Sequence, residues 1–140
     1  MYLLLDTASP EHFTVALAKP NGRWLGVRQI PSHFTQSEKI LPAVEQLLKK
    51  HAISPPDISC IMAVTGPGGF TSLRIGVITA DTLGYAWRIP VVSLKTGEYD
   101  IRSGLSPRTL QKIGSVKSDH QVMPEYGRPP NITKPRQNLG

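Results

Sequence analysis

Cysteine occurs once in the 140 residues, as Cys60 inside an apolar run. No disulfide can form within one chain, and that usage suits a reducing cytoplasm. No apolar stretch approaches the ~20 residues of a membrane-spanning helix. The opening MYLLLDTAS has no basic segment ahead of its apolar run, which stops at Asp6. It is therefore read as no signal peptide, and a cytoplasmic protein without a membrane partner is expected. The four histidines, His12, His33, His51 and His120, are neither paired at i, i+4 nor flanked by cysteines, so no metal site is indicated. A Walker A ending (Gly-Lys-Ser/Thr), a GxGxxG fingerprint and a GxSxG elbow are all absent, and no catalytic residue is assigned.

The ordinary proportions, 39% hydrophobic and 19% charged, fit one globular domain. Net charge is +6 but unevenly spread. Residues 1–100 carry nine Lys+Arg against eight Asp+Glu, and residues 101–140 carry seven against two. The basic character therefore belongs to the tail. Two readings of it stay open: a solvated end, or phosphate contacts with nucleic acid.

Tyr2 to Leu5 reads as a buried strand, Phe13 to Ala18 as a second, and Trp24 to Ile30 as a third. Pro20-Asn21-Gly22 marks the hairpin turn between the last two, so an antiparallel meander is expected. A helix follows, with Ser37 as its expected N-cap and His51 at its C-terminal end. Ile40, Leu41, Val44, Leu47 and Leu48 fall on one face of the 3.6-residue period. Ile58 to Thr65 is almost wholly apolar, as in a strand covered on both faces. After the turn Gly66-Pro67-Gly68-Gly69, a second helix spans about Thr71 to Trp87, and Val91 to Leu94 forms a fifth strand. The order β-β-β-α-β-α-β predicts a five-stranded mixed sheet with helices on it, an α/β fold. Ser106-Pro107 can start a short helix through Ile113, with Gly114 stopping it. Residues 1–95 form the expected domain, and 96–140 a linker and extended Pro-rich basic tail.

Within the second helix Ser72, Gly76, Ala80 and Gly84 recur every four residues. Interior glycines cost about 1 kcal/mol each relative to alanine, which a helix tolerates where its backbone must approach something closely. That neighbour is either the chain's own sheet or another helix across an interface. The turn GPGGFT also places backbone N–H groups at a helix start, a general anion site to which Arg74 could add charge. Asp6 and Thr7, at the end of the first strand, stand where an actin-like phosphotransferase keeps an acid for a metal-nucleotide. Asp6, Thr7, Gly68, Gly69 and Arg74 are the resulting candidates for anion or nucleotide contact. The alternatives are a strand end and a tight turn.

Taken together, YLLLDTAS, SEKILPAVEQLLKK, IMAVTGPGGFTSLRIGV and IPVVSL resemble the TsaB family in order and spacing over residues 2–94. PEYGRPPNITKPR at 124–136 is similar to the usual end of that family. There are departures. Gln36-Ser37-Glu38 stands where the family commonly has His-Ser-Glu, and GPGGFTSLR replaces the usual GPGSFTGLR. The chain has residues for only one of the family's two half-domains. The histidine pair of the paralogue TsaD has no counterpart between Ser93 and Ser118.

The resemblance implies an actin-like (ASKHA, ribonuclease H-like) half-domain. It further implies a non-catalytic role in forming threonylcarbamoyladenosine on tRNAs that read ANN codons. The implied partners are a TsaD-like transferase and, through it, a TsaE-like ATPase, with tRNA reached indirectly and a homodimer formed when the chain is alone. The two helices are expected to form the partner face, through Ile40, Val44, Leu47, Leu73, Gly76, Val77, Ala80 and Gly84. No cofactor is implied. A small ATP-binding phosphotransferase or ATPase using Asp6, Thr7 and the glycine turn, and a remnant that only pairs with itself, are the alternatives.

Overall fold

Alternation of side chains along the strands decides how this chain layers. In β1 (Tyr2–Asp6), Leu3 and Leu5 face one way and Leu4 the other, and all three are fully buried. Both faces of the sheet must therefore be covered. The computed structural model describes residues 1–115. The family-like stretch at 124–136 and part of the basic tail lie outside the described residues.

Strand β1 pairs antiparallel with β2 (His12–Ala18), which pairs antiparallel with β3 (Trp24–Pro31). On its other side β1 runs parallel to β4 (Cys60–Gly66), and β4 parallel to β5 (Val91–Lys95). The sheet order is β3-β2-β1-β4-β5, and the expected order of elements holds. Every residue of β4 is buried, as its unbroken apolar run requires. The β2–β3 turn is set by Gly22, whose φ of 91° suits glycine, and its N–H donates to the Lys19 carbonyl at 2.8 Å.

Helices α1 (Gln36–Lys50) and α2 (Phe70–Trp87) cover the face made by Leu3, Leu5, Phe13, Val15, Leu17, Ile61 and Ala63. From α1, Ile40, Val44, Leu47 and Leu48 enter that core, each side chain contributing up to about 1.5–3 kcal/mol. Leu41, expected on the same face, is 52% exposed. It lies one residue along from Ile40, about 100° around the helix, and so falls on the rim. Nor is Ser37 the N-cap. The helix begins one residue earlier behind Thr35, whose hydroxyl donates to the Ser32 carbonyl instead of capping.

The small-residue row of α2 meets the chain's own strands. A Cβ on Gly76 would overlap the Thr7 hydroxyl, and one on Gly84 would come within 2.5 Å of Val91 Cγ2. The helix ends at Arg88, in left-handed conformation (φ 57°), with the Ile89 N–H on the Gly84 carbonyl at 3.0 Å.

The second face (Leu4, Ala16, Ala18, Cys60, Met62, Val64, Val92 and Leu94) is closed by chain that follows β5. The two-residue strands β6 (Tyr99–Asp100) and β7 (Gly104–Leu105) pair antiparallel and lead into α3 (Pro107–Gly114). Leu105 and Ile113 are buried there, with Tyr99 and Leu110 packed alongside. Residues 96–115 are thus a cover on the sheet rather than the expected linker. The predicted short helix is present, N-capped by Ser106, whose Oγ accepts from the Thr109 N–H at 3.2 Å.

Candidate functional site

All eight residues expected to form the partner face lie inside this chain. Ile40, Val44, Leu47, Leu73, Val77 and Ala80 are at most 3% exposed, and Gly76 and Gly84 are buried as well. The reason is the one just given: the apolar face of α1 and the small-residue row of α2 are consumed by the sheet. Their side chains are therefore turned into this chain's own core. The surface these helices offer outward is a largely different set, with Val44 at the floor of one groove. Leu41 is 52% exposed and Ile78 56% exposed. Two grooves run beside them. One, of about 420 Å³, is lined by Leu41, Val44, Glu45, Leu48, Lys49, Ile53, Leu83 and Trp87, with Ser54 and Pro55 at its end. The other, of about 320 Å³, is lined by Ser37, Thr71, Arg74, Ile75, Ile78 and Thr79. Singly exposed apolar side chains are ordinary; here the two stand on adjacent helices, each beside a groove. Leu41 was expected on the buried face with Ile40. Ile78, Leu83 and Trp87 carried no period of their own, because α2 is apolar on most of its circumference.

Of the candidates for anion or nucleotide contact, Asp6, Thr7, Gly68 and Gly69 are brought close together and Arg74 is not. Asp6, with Ala8, Ser9, His12, Thr14, Gln29, Pro67, Thr96 and Tyr99, lines a polar hollow of about 270 Å³ at the end of β1. Arg74 lines the outer groove between the helices instead. Asp6 has both carboxylate oxygens engaged: Oδ1 accepts from the Ala8 N–H at 2.9 Å and Oδ2 from the Tyr99 O–H at 2.5 Å. Thr7 is fully buried and donates to the Ser72 carbonyl at 2.5 Å. Gly68 is glycine because a Cβ would come within 2.8 Å of the Ala8 carbonyl oxygen. The Gly69 N–H already serves that carbonyl at 3.0 Å. The turn is thus packed on the loop after β1, with no cradle left at these glycines, and the residues do not fit a metal-nucleotide. Among the described residues no group of three or more His, Cys, Asp or Glu could hold a metal.

Tyr99, which the sequence did not flag, is the unexpected member of the hollow. Burial, then the charge of Asp6 and the hydrogen bond to it, push its phenol up, so it stays a donor. Its ring meets Trp24 edge-on at 6.0 Å. Burial likewise pushes the Cys60 thiol up to about 12, which removes it as a nucleophile.

Comparison with known proteins gives this geometry a family. Residues 31–111, more than half of the chain, match the family model of TsaD, tRNA N6-adenosine threonylcarbamoyltransferase. The tRNA threonylcarbamoyladenosine biosynthesis protein TsaB of Escherichia coli is 33% identical over 94 residues, covering 67% of this chain and 39% of that protein. The chain is a TsaB-type member of the TsaB/TsaD family. TsaB of Bacillus subtilis is 39% identical over 62 residues, covering 44% of this chain and 27% of its own length. Among solved structures, YeaZ from Pseudomonas aeruginosa superposes with a TM-score of 0.60 at 30% identity, covering 67% of this chain and 42% of that one. The fold is therefore that of an actin-like half-domain, and the chain spans well under half the length of these relatives. Among the described residues no helix is long and apolar enough to cross a membrane.

Proposed function

We propose that this TsaB-type chain is a non-catalytic subunit of the tRNA threonylcarbamoyladenosine machinery, acting by binding a TsaD-type transferase through the outer faces of α1 and α2. The observation that carries it is the exposed pair Leu41 and Ile78, flanked by two grooves on adjacent helices of a chain whose inward faces are already filled. Covering such a surface removes apolar area from water, the main favourable contribution to most associations. The non-catalytic role is supported by the engagement of both Asp6 oxygens and by the separation of Arg74 from them. A TsaE-type ATPase joins through that complex, tRNA is reached through the transferase, and the same face pairs two copies when the transferase is absent.

The test is co-purification and titration with the cognate TsaD-type protein, repeated with Leu41→Arg and Ile78→Arg. A central apolar contact is typically worth about 2 kcal/mol, roughly thirtyfold in affinity. Because both sites are exposed, stability is expected to change by less than about 0.5 kcal/mol. Folded variants that bind as tightly as the parent would overturn the proposed face.

A further inference from the structure

Residues 96–115 do more than join β5 to the tail. A pair of two-residue strands is marginal alone, and so is an eight-residue helix. They hold their shape here because they are fastened to the sheet at identifiable points. The Leu105 N–H donates to the Gly22 carbonyl at 2.9 Å, and the Trp24 indole N–H to the Asp100 carbonyl at 2.9 Å. Gly104, at φ 111°, passes so close to Gly22 that a side chain there would overlap the Gly22 carbonyl. These bonds tie the cover to the β2–β3 turn and to β3. The Thr96 N–H donates to the Gly66 carbonyl at 2.9 Å and its hydroxyl to the Pro67 carbonyl at 2.5 Å, which ties the cover to the end of β4, and the bond between Tyr99 and Asp6 ties it to the end of β1.

We infer that residues 96–115 form a latched cover over the second face of the sheet, with the Tyr99 hydroxyl on the Asp6 carboxylate as its latch. The chain itself thereby occupies the position at which an acid ending β1 would otherwise meet a metal-nucleotide. The chemistry favours this use of Asp6. The carboxylate has a donor on each oxygen, a backbone N–H on one and a phenol at 2.5 Å on the other, so neither oxygen is without a partner from this chain. Tyr99 is further held in place by the edge of Trp24, so the donor is set before the bond forms. The inference concerns the opposite side of the sheet from α1 and α2 and does not depend on what those helices bind.

Hydrogen exchange on the full 140-residue chain tests it, with Tyr99→Phe, Asp6→Asn and the double variant. Tyr99→Phe removes the donor and Asp6→Asn the acceptor's charge, so each abolishes the charge-assisted bond, and amides of residues 99–113 are expected to exchange about tenfold faster. The double variant is expected to add little, since both changes remove the same bond. Residues 40–48 and 73–84 are expected to keep their protection. The parent and Tyr99→Phe are expected to give no calorimetric signal with millimolar Mg-ATP. Unchanged protection of residues 99–113 in both single variants would overturn the latch. So would a loss of protection spread evenly over the chain, fully additive effects, or binding of Mg-ATP by the parent.

Discussion

Replacing Gly76 by alanine sets two simple expectations against each other. On helix propensity alone the change adds up to about 1 kcal/mol of stability, because an interior glycine is the poorer helix former. The structure predicts the reverse. The new Cβ would overlap the Thr7 hydroxyl and lie 3.2 Å from its Cγ2, and Thr7 is fully buried at the end of β1. Either α2 lifts from the sheet or Thr7 turns away. Overpacking of this kind costs about 1–3 kcal/mol. Turning Thr7 also breaks its bond to the Ser72 carbonyl, leaving a buried hydroxyl unpaired at a further ~1–3 kcal/mol. Set against the propensity gain, the net expectation is a loss of about 2–3 kcal/mol, roughly 10 °C in melting temperature for a domain this size. Urea titration with unchanged slope is the assay. Gly114→Ala is the control: nothing lies within 4 Å of its added Cβ, so it is expected to be neutral or to gain a few tenths of a kcal/mol. A Gly76→Ala protein as stable as the parent, but weaker in binding a partner, would refute the reasoning and return the small-residue row to an interface.

Three further outcomes are expected. Ser106→Ala removes the N-cap of α3 and is expected to cost about 1 kcal/mol, read as faster exchange of amides 107–114. Cys60 ionises near 9.0 when unfolded and near 12 when folded. Its contribution is therefore complete below pH 9 and lost as pH rises toward 12, with a slope up to ~1.4 kcal/mol per pH unit. Stability of the parent is expected to fall by about 2 kcal/mol more than that of Cys60→Ala between pH 9 and 10.5; parallel curves would contradict this. Thiol reagents at pH 8 are expected to leave Cys60 unlabelled until denaturant is added.

The sheet and its two main helices were legible because their signals are strong and local. The apolar run from Ile58 to Thr65 declares a strand buried on both sides, found at Cys60–Gly66, and Pro20-Asn21-Gly22 declares the hairpin before it. The site was less legible, because a four-residue row of small side chains states only that something comes close. Gly76 and Gly84 read the same whether that neighbour is Thr7 and Val91 or a foreign helix; only the placement of α2 over β1, β4 and β5 decides it. Leu41 was misplaced for a related reason. Adjacent apolar residues at 40 and 41 fit one broad stripe on paper, while the sheet admits only the narrower set with Ile40. The cover was missed because its strands are two residues long and its fastenings run from Tyr99 back to Asp6 and from Asp100 back to Trp24, separations at which no sequence period operates.

The inward and outward rows of α2 are therefore one device rather than two. Small residues at 72, 76, 80 and 84 let the helix axis sit close on the sheet. That closeness fixes where Ile78, half a turn away from the row, projects beside α1 and how far Leu41 stands from it. A substitution in the inner row acts on an outer surface through the position of the helix, at a cost in stability. On the proposed partner face, a substitution in the outer row is expected to change binding and leave stability nearly unchanged. Gly76→Ala and Ile78→Arg separate these two effects, since losses of affinity with and without loss of stability have different structural origins. The glycine-rich turn that opens α2 belongs to the same device. Gly68 lets the turn lie on Ala8, the Gly69 N–H joins it to the Ala8 carbonyl, and the helix leaves from there already seated against Thr7. What reads as a phosphate loop in the sequence is, in this chain, the footing of the helix that carries Ile78 and the proposed partner surface.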